Sequence, residues 1–141
     1  MRIAFASDDE NETTRAVTTA LTEGGHEVIR PDATASWPDL GRFVGRAVVD
    51  GRADYGVVMC WTGTGTAIAA NKVPGVRAAL AWDPWIARGA RLWNDANVLA
   101  MSLKRLAPDV AVEVLRAFLE TSGPDPDEAA NIAAIESPQP G

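Results

Sequence analysis

The stretch Tyr55-Gly56-Val57-Val58-Met59-Cys60-Trp61-Thr62-Gly63-Thr64-Gly65 is an apolar run that stops at the chain's single cysteine. Its length and β-branched content suit a strand covered on both faces. Gly63 and Gly65 then let the backbone turn tightly and present N–H groups outward. Such a strand end aims its last side chain out of the sheet edge. A thiol, a hydroxyl and a ring of backbone donors form a kit for moving a proton next to a carbonyl and holding the negative oxygen that results. The plain alternative is a buried structural cysteine ahead of an ordinary βα turn, because free cysteine is among the most buried residue types.

Outward from this stretch, short apolar runs alternate with helical patterns. Ile3 to Ala6 is a first strand. Ala16, Val17, Ala20 and Leu21 then share a helix face that Gly24-Gly25 closes. Glu27 to Ile29 is a second strand, and Pro38 suits the first turn of a helix that runs to about Val49. After the Cys60 strand come a helix around Ala67 to Asn71, a fourth strand over Val76 to Ala81 and a helix over Pro84 to Trp93. Val98 to Met101 is a fifth strand. Pro108 to Glu120 is amphipathic, with Val110, Val114, Leu115, Phe118 and Leu119 as its apolar stripe. The pattern predicts a Rossmann-like α/β fold: a five-stranded parallel sheet between two helical layers, a three-layer α/β/α sandwich. Residues 1–121 form that domain. Residues 122–141 form a tail with one short helix over Asp127 to Ile135, and Ser137 to Gly141 is expected to fray.

Composition narrows the function classes. A chain of 141 residues is one domain. Its formal charge of −6 argues against a nucleic-acid surface. No apolar run approaches the ~20 residues of a membrane span. The apolar start, Met1 to Ala6, is too short for a signal peptide, and one cysteine allows no internal disulfide, so the expected location is the cytoplasm.

Ligands in open α/β sheets bind beyond the carboxyl ends of the strands. That rule selects Asp8 and Asp9, Cys60 to Gly65, Asp83, and Ser102 to Lys104. For Asp8 and Asp9 the competing role is capping the next helix. Asn94, Asp95 and Asn97 lie just before strand five, where ordinary turn chemistry competes with a functional role. His26, the only histidine, falls at the opposite end and reads as surface or structural.

Cys60-Trp61-Thr62-Gly63-Thr64-Gly65, followed by Ile68-Ala69-Ala70-Asn71-Lys72-Val73-Pro74-Gly75-Val76-Arg77-Ala78-Ala79, closely resembles the type B ribose-5-phosphate isomerases and their galactose-6-phosphate isomerase relatives. Asp83-Pro84, Ala87-Arg88 and Asn94-Asp95-Ala96-Asn97-Val98-Leu99-Ala100 extend the likeness in order and spacing. So do Ile3-Ala4, Ser7-Asp8 and Gly25 to Ile29. The resemblance implies a homodimer or dimer of dimers with sites at the subunit interface. It also implies aldose–ketose isomerisation of a small-molecule sugar phosphate without metal or organic cofactor. In that reading Cys60 is the base, aided by its place before a helix N-terminus. Thr62 and the N–H groups of Gly63 to Gly65 hold the enediolate oxygen. Asp8 polarises a sugar hydroxyl, and Asn94 and Asn97 orient the open chain. Trp61, Thr64, Trp93 and Lys104 complete the expected substrate contacts, with Asp9 beside them.

The departures from the family pattern all weaken one half of that site. Asp9 stands where the family carries a phosphate-contacting histidine, and Trp93 where it carries the histidine credited with ring opening. The expected glycine after the cysteine is Trp61, and the expected tyrosine before Pro38 is Trp37. Lys104 replaces an arginine, and Pro124 to Ile135 lacks the arginines that grip phosphate. Two like charges 4 Å apart cost about 4 kcal/mol at an effective dielectric of 20, so Asp9 opposes a phosphate. Three readings therefore stand: an isomerase with altered substrate, a subunit that pairs with a histidine-bearing paralogue, and a non-catalytic sugar-binding protein.

Overall fold

In the computed structural model, β1 (Arg2–Ser7), β3 (Tyr55–Cys60) and β5 (Val98–Ser102) form the centre of the sheet, with β2 (Glu27–Ile29) and β4 (Ala78–Leu80) at its edges. The structure describes residues 1–138. Gln139, Pro140 and Gly141, and with them most of the segment expected to fray, lie outside the described residues. Strand order is β2-β1-β3-β5-β4, and every neighbouring pair is parallel. The predicted five-stranded parallel sheet is present. Ser7 pairs with Met59 and Cys60 with Ser102, so the ends of the three central strands share one edge.

Side chains alternate along each central strand and divide the core in two. Ile3, Phe5, Val57, Met59, Leu99 and Met101 face α1 (Glu12–Glu23), α4 (Pro84–Asn94) and α5 (Pro108–Glu120). Ala4, Ala6, Val58, Val98 and Ala100 face α2 (Trp37–Val49) and α3 (Thr64–Asn71). Each large side chain fully buried in these layers contributes roughly 1.5–3 kcal/mol. The α2 side uses small residues so that backbones meet. A Cβ on Gly41 would lie 2.7 Å from the Ala69 Cβ and 2.9 Å from the Thr66 carbonyl oxygen. This contact fixes α3, and with it the loop after Cys60.

Local signals explain the boundaries. Asn11 caps α1 in a capping box with Thr14, and its Nδ2 donates to the Leu103 carbonyl at 2.6 Å. The capping role considered for Asp8 and Asp9 is therefore taken by Asn11. Asp83, another candidate, accepts from the Ile86 N–H at 2.8 Å and caps α4. Strand β4 is shorter than the expected Val76 to Ala81 because the Arg77 N–H is drawn off to the Asn97 side chain. In the tail, a 3-10 turn (Pro126–Glu128) leads into α6 (Ala129–Ile135). Both pack on α4, with the Asp125 N–H on the Leu92 carbonyl and Arg77 paired with Glu136. Among the described residues no helix is long and apolar enough to cross a membrane.

Candidate active site

Cys60 ends β3 with its side chain turned into the loop that starts α3. The residue is buried, yet it forms part of the floor of a cleft of about 370 Å³ lined by Asp8, Trp37, Trp61, Thr62, Thr64 and Gly65. The Gly63 N–H donates to Sγ at 3.2 Å, and the fully buried Thr66 hydroxyl reaches the same sulfur at 3.3 Å. Gly63 makes this possible. Its φ is +79°, and a Cβ there would meet Met101 C at 2.8 Å and Leu80 Cδ1 at 2.6 Å.

The donors of the turn divide their work differently from the expectation that Gly63 to Gly65 act together. Gly63 serves the sulfur, and the Thr64 N–H lies 3.3 Å from the Thr62 hydroxyl. The Thr62 and Thr64 hydroxyls are themselves bonded at 2.7 Å. Among the described residues, the N–H groups of Gly65 and Thr66 have no protein acceptor. They are helix-start donors, a kind of group that can meet an anionic oxygen.

A fixed wall stands over this floor. The Trp61 indole N–H donates to Asp9 at 3.0 Å, and the Lys104 ammonium lies 4.6 Å from the indole centroid. Behind it, the Trp61 carbonyl accepts from Ser102 Oγ, and the Leu103 N–H donates to the Cys60 carbonyl. Trp37 packs against Gly65, whose notional Cβ would lie 3.0 Å from the indole. The Trp61 hydrogen bond, followed by the Glu10 N–H, holds the Asp9 carboxyl below its usual range, and the Lys104 charge adds to this. Asp8 behaves oppositely. Loss of hydration, and then the Asp9 charge, push its carboxyl up.

Asp8 also borders a second trough of about 330 Å³, lined by Ser7, Asp9, Arg15 and Arg30 among others. The Arg30 guanidinium lies over the Phe5 ring at 5.0 Å. These cations, and Thr66, escaped the sequence reading. Arg15 and Arg30 sit on α1 and after β2, outside any motif. Thr66 falls between the two stretches that carry the likeness, Cys60 to Gly65 and Ile68 to Ala79, and only its fold onto the sulfur gives it a role.

A single chain does not gather all the expected residues. Asn97 is spent on turn geometry: its Oδ1 accepts from the Arg77 N–H at 2.8 Å, and its Nδ2 donates to the Gly75 carbonyl at 3.0 Å. Asn94 ends α4 beside Arg77, Ala79 and Ile135, at the sheet edge opposite Cys60. Trp93 lies along its own helix over Gly89 and meets Trp85 edge-on at 5.5 Å. His26 is also at the far end, 3.4 Å from the amino terminus, as expected. Asp8, Asp9, Cys60 to Gly65 and Lys104 come together; Trp93, Asn94 and Asn97 do not join them. Among the described residues no three His, Cys, Asp or Glu side chains converge as metal ligands.

Residues 3–135 match the family model described as Ribose/Galactose Isomerase. The chain belongs to the ribose/galactose isomerase family. It is 37% identical to ribose-5-phosphate isomerase B of Escherichia coli over 103 residues, which cover 70% of this chain and 69% of that protein. It is 38% identical to D-erythrulose-4-phosphate isomerase of Pectobacterium atrosepticum over 84 residues, or 60% of this chain. The matched stretch spans 55% of that relative's length. Among solved structures, Clostridium thermocellum ribose-5-phosphate isomerase B superposes with a TM-score of 0.90 at 34% identity, covering 96% of this chain and 95% of that one. The cysteine loop and the Asp8 edge are thus set on the scaffold of this isomerase family.

Proposed function

We propose that the chain is a cofactor-free aldose–ketose isomerase in which Cys60 moves a proton between neighbouring carbons of an open-chain sugar through an enediolate. The observation that carries this reading is the sulfur at the cleft floor, met by two donors and flanked by the unengaged N–H groups of Gly65 and Thr66. A hydrogen next to a carbonyl becomes removable only when the carbonyl oxygen's growing charge is met. Each well-placed donor of this kind is worth roughly a hundred- to thousandfold in rate. Asp8, with its acidity lowered, lines the same cleft and is placed to hold a sugar hydroxyl.

The substrate grip differs from that of a strict phosphate clamp. Asp9 is held as an anion beside the cleft, and residues 117–138 carry no arginine. Lys104 is engaged on the Trp61 face, and Arg15 and Arg30 lie in the adjoining trough rather than over the sulfur. Two indoles instead offer apolar surface to sugar carbons. Trp93 has no acid–base range with which to open a ring. Substrates that stay open fit best. A four-carbon sugar esterified at its terminal oxygen cannot close a five-membered ring, and one relative is named for such a compound.

A second copy of the chain supplies Asn94 to this cleft. The exposed Trp82, Trp85 and Trp93 mark the surface it covers. A stable pairing of this kind buries roughly 1,200–2,000 Å² in total.

The test is deuterium incorporation next to the carbonyl, followed for D-erythrulose 4-phosphate, ribose 5-phosphate and unphosphorylated pentoses. Exchange by the purified chain, lost in Cys60→Ala, is the expected result. Retention of exchange in Cys60→Ala removes the base assignment. Activity only after mixing with a histidine-bearing paralogue overturns the self-sufficient assembly, and a preference for ribose 5-phosphate overturns the altered grip.

A further inference from the structure

Thr66 is fully buried, and its single hydroxyl hydrogen has two acceptors at the same distance. Cys60 Sγ and the Gly63 carbonyl oxygen each lie 3.3 Å from Oγ1. One hydrogen cannot serve both at full strength. The sulfur's other protein donor, the Gly63 N–H, belongs to a rigid turn and cannot reorient. The titratable and charged groups around the sulfur are few. Asp8 faces it across the cleft, while Asp9 and Lys104 are occupied on the Trp61 edge and face. The adjustable polar contact of the sulfur is therefore Thr66.

We infer that Thr66 is a positioning residue whose hydroxyl reverses its hydrogen bond each time Cys60 gains or loses the substrate proton. With the thiolate present, Oγ1–H donates to the sulfur. When the sulfur takes the proton from the sugar carbon, S–H donates to Oγ1, and Oγ1–H turns to the Gly63 carbonyl. When the proton is returned to the neighbouring carbon, the hydroxyl swings back. No proton leaves Thr66, so charge and atoms balance within the Cys60 relay. The swing is a rotation about one side-chain bond, and it keeps the sulfur satisfied in both states without water.

This inference rests on Cys60 being the base, so its test reads the sulfur directly as well as through turnover. The variants are Thr66→Val, which keeps the shape and removes the hydroxyl, Thr66→Ser, which keeps the hydroxyl, and Thr66→Ala as a second hydroxyl-free form. Alkylation of Cys60 by iodoacetamide is followed across pH, together with kcat and KM for the best substrate of the panel. A hydrogen bond to a charged group carries an effect of roughly ten- to hundredfold. The expected results for Thr66→Val and Thr66→Ala are an alkylation curve displaced to higher pH, a kcat reduced by that factor and a KM changed less than threefold. Thr66→Ser restores both readouts. An unchanged alkylation curve and kcat in the two hydroxyl-free variants overturns the inference. So does a Thr66→Ser variant as impaired as Thr66→Val, which marks a packing role. Displaced alkylation with no isomerisation of any sugar keeps the Thr66 coupling and sinks the functional reading instead.

Discussion

Replacing Gly63 by alanine tests the geometry on which the cleft depends. Gly63 adopts φ +79°, where an L-residue carries a penalty of roughly 1–2 kcal/mol. The added methyl also has nowhere to go. It would lie 2.8 Å from Met101 C and 3.0 Å from Ser102 N, both backbone atoms of a central strand, and 2.6 Å from Leu80 Cδ1. Leu80 can rotate, but β5 cannot yield, and overpacking of this kind costs about 1–3 kcal/mol. The combined destabilisation of about 2–5 kcal/mol corresponds to a Tm lower by roughly 5–20 °C for a chain of this size. The damage also has a direction. The loop must lift away from β5, carrying the Gly63 N–H off the sulfur, so isomerisation should fall further than stability does. Urea unfolding measured beside Cys60 alkylation separates the two. A Gly63→Ala protein with wild-type stability and wild-type alkylation would refute the close-approach reasoning.

Three further outcomes follow from the same contacts. In Asp9→Asn the charge that helps push up the Asp8 carboxyl is gone, so the Asp8 midpoint should move down toward the ordinary value, read by carbon NMR of its carboxyl; an unmoved midpoint assigns the whole effect to lost hydration. Arg91 is 4% exposed, donates to the Ala96 carbonyl and the Tyr55 hydroxyl, and lies over the Tyr55 ring at 4.5 Å. Arg91→Ala leaves the buried Ala96 carbonyl without its donor and breaks the ion pair with Asp95, and should cost about 3–5 kcal/mol by urea denaturation, whereas a loss under ~1 kcal/mol would show the pocket to be solvated. Asp54 is held below its usual range first by the Arg2 N–H at 2.7 Å and then by the Arg2 side chain. Its contribution is present above the unfolded carboxylate value of about 3.9 and fades as pH falls through the lower folded value. Asp54→Asn should therefore flatten the acid limb of the stability curve, and an unchanged limb would place the acid sensitivity elsewhere.

Short continuous apolar runs, helical apolar faces and punctuating glycines and prolines made every strand and α-helix of the domain legible in the sequence, because each central strand feeds both cores and each helix one of them. The boundary at Arg77 was not legible, since it depends on Asn97, twenty residues away, taking the Arg77 N–H. The cysteine loop was legible as chemistry, although the division of donors within it was not. Which N–H meets the sulfur follows from a positive φ at Gly63 and the closeness of β5, neither written locally. Thr66 stayed hidden for a related reason. A threonine in the first turn of a helix carries no signal until the turn brings it back over the strand end. Trp93 could be placed at the end of the helix from Pro84, but Asn94 read as part of the turn before strand five, whereas it is the last residue of α4.

Where α2 crosses α3, the spacing is set by main chain lying almost on main chain, through Gly41 against Ala69 and the Thr66 carbonyl. A joint with so little side-chain volume has almost no slack, so the amides beside the Cys60 sulfur inherit the stiffness of two helices clamped together. The loop from Pro31 to Ala35 lines a separate trough that shares Asp8, so variation there can reshape the surroundings while the cysteine floor keeps its dimensions. The shape of the surroundings and the geometry of the cysteine floor are in this way separable properties of one strand edge.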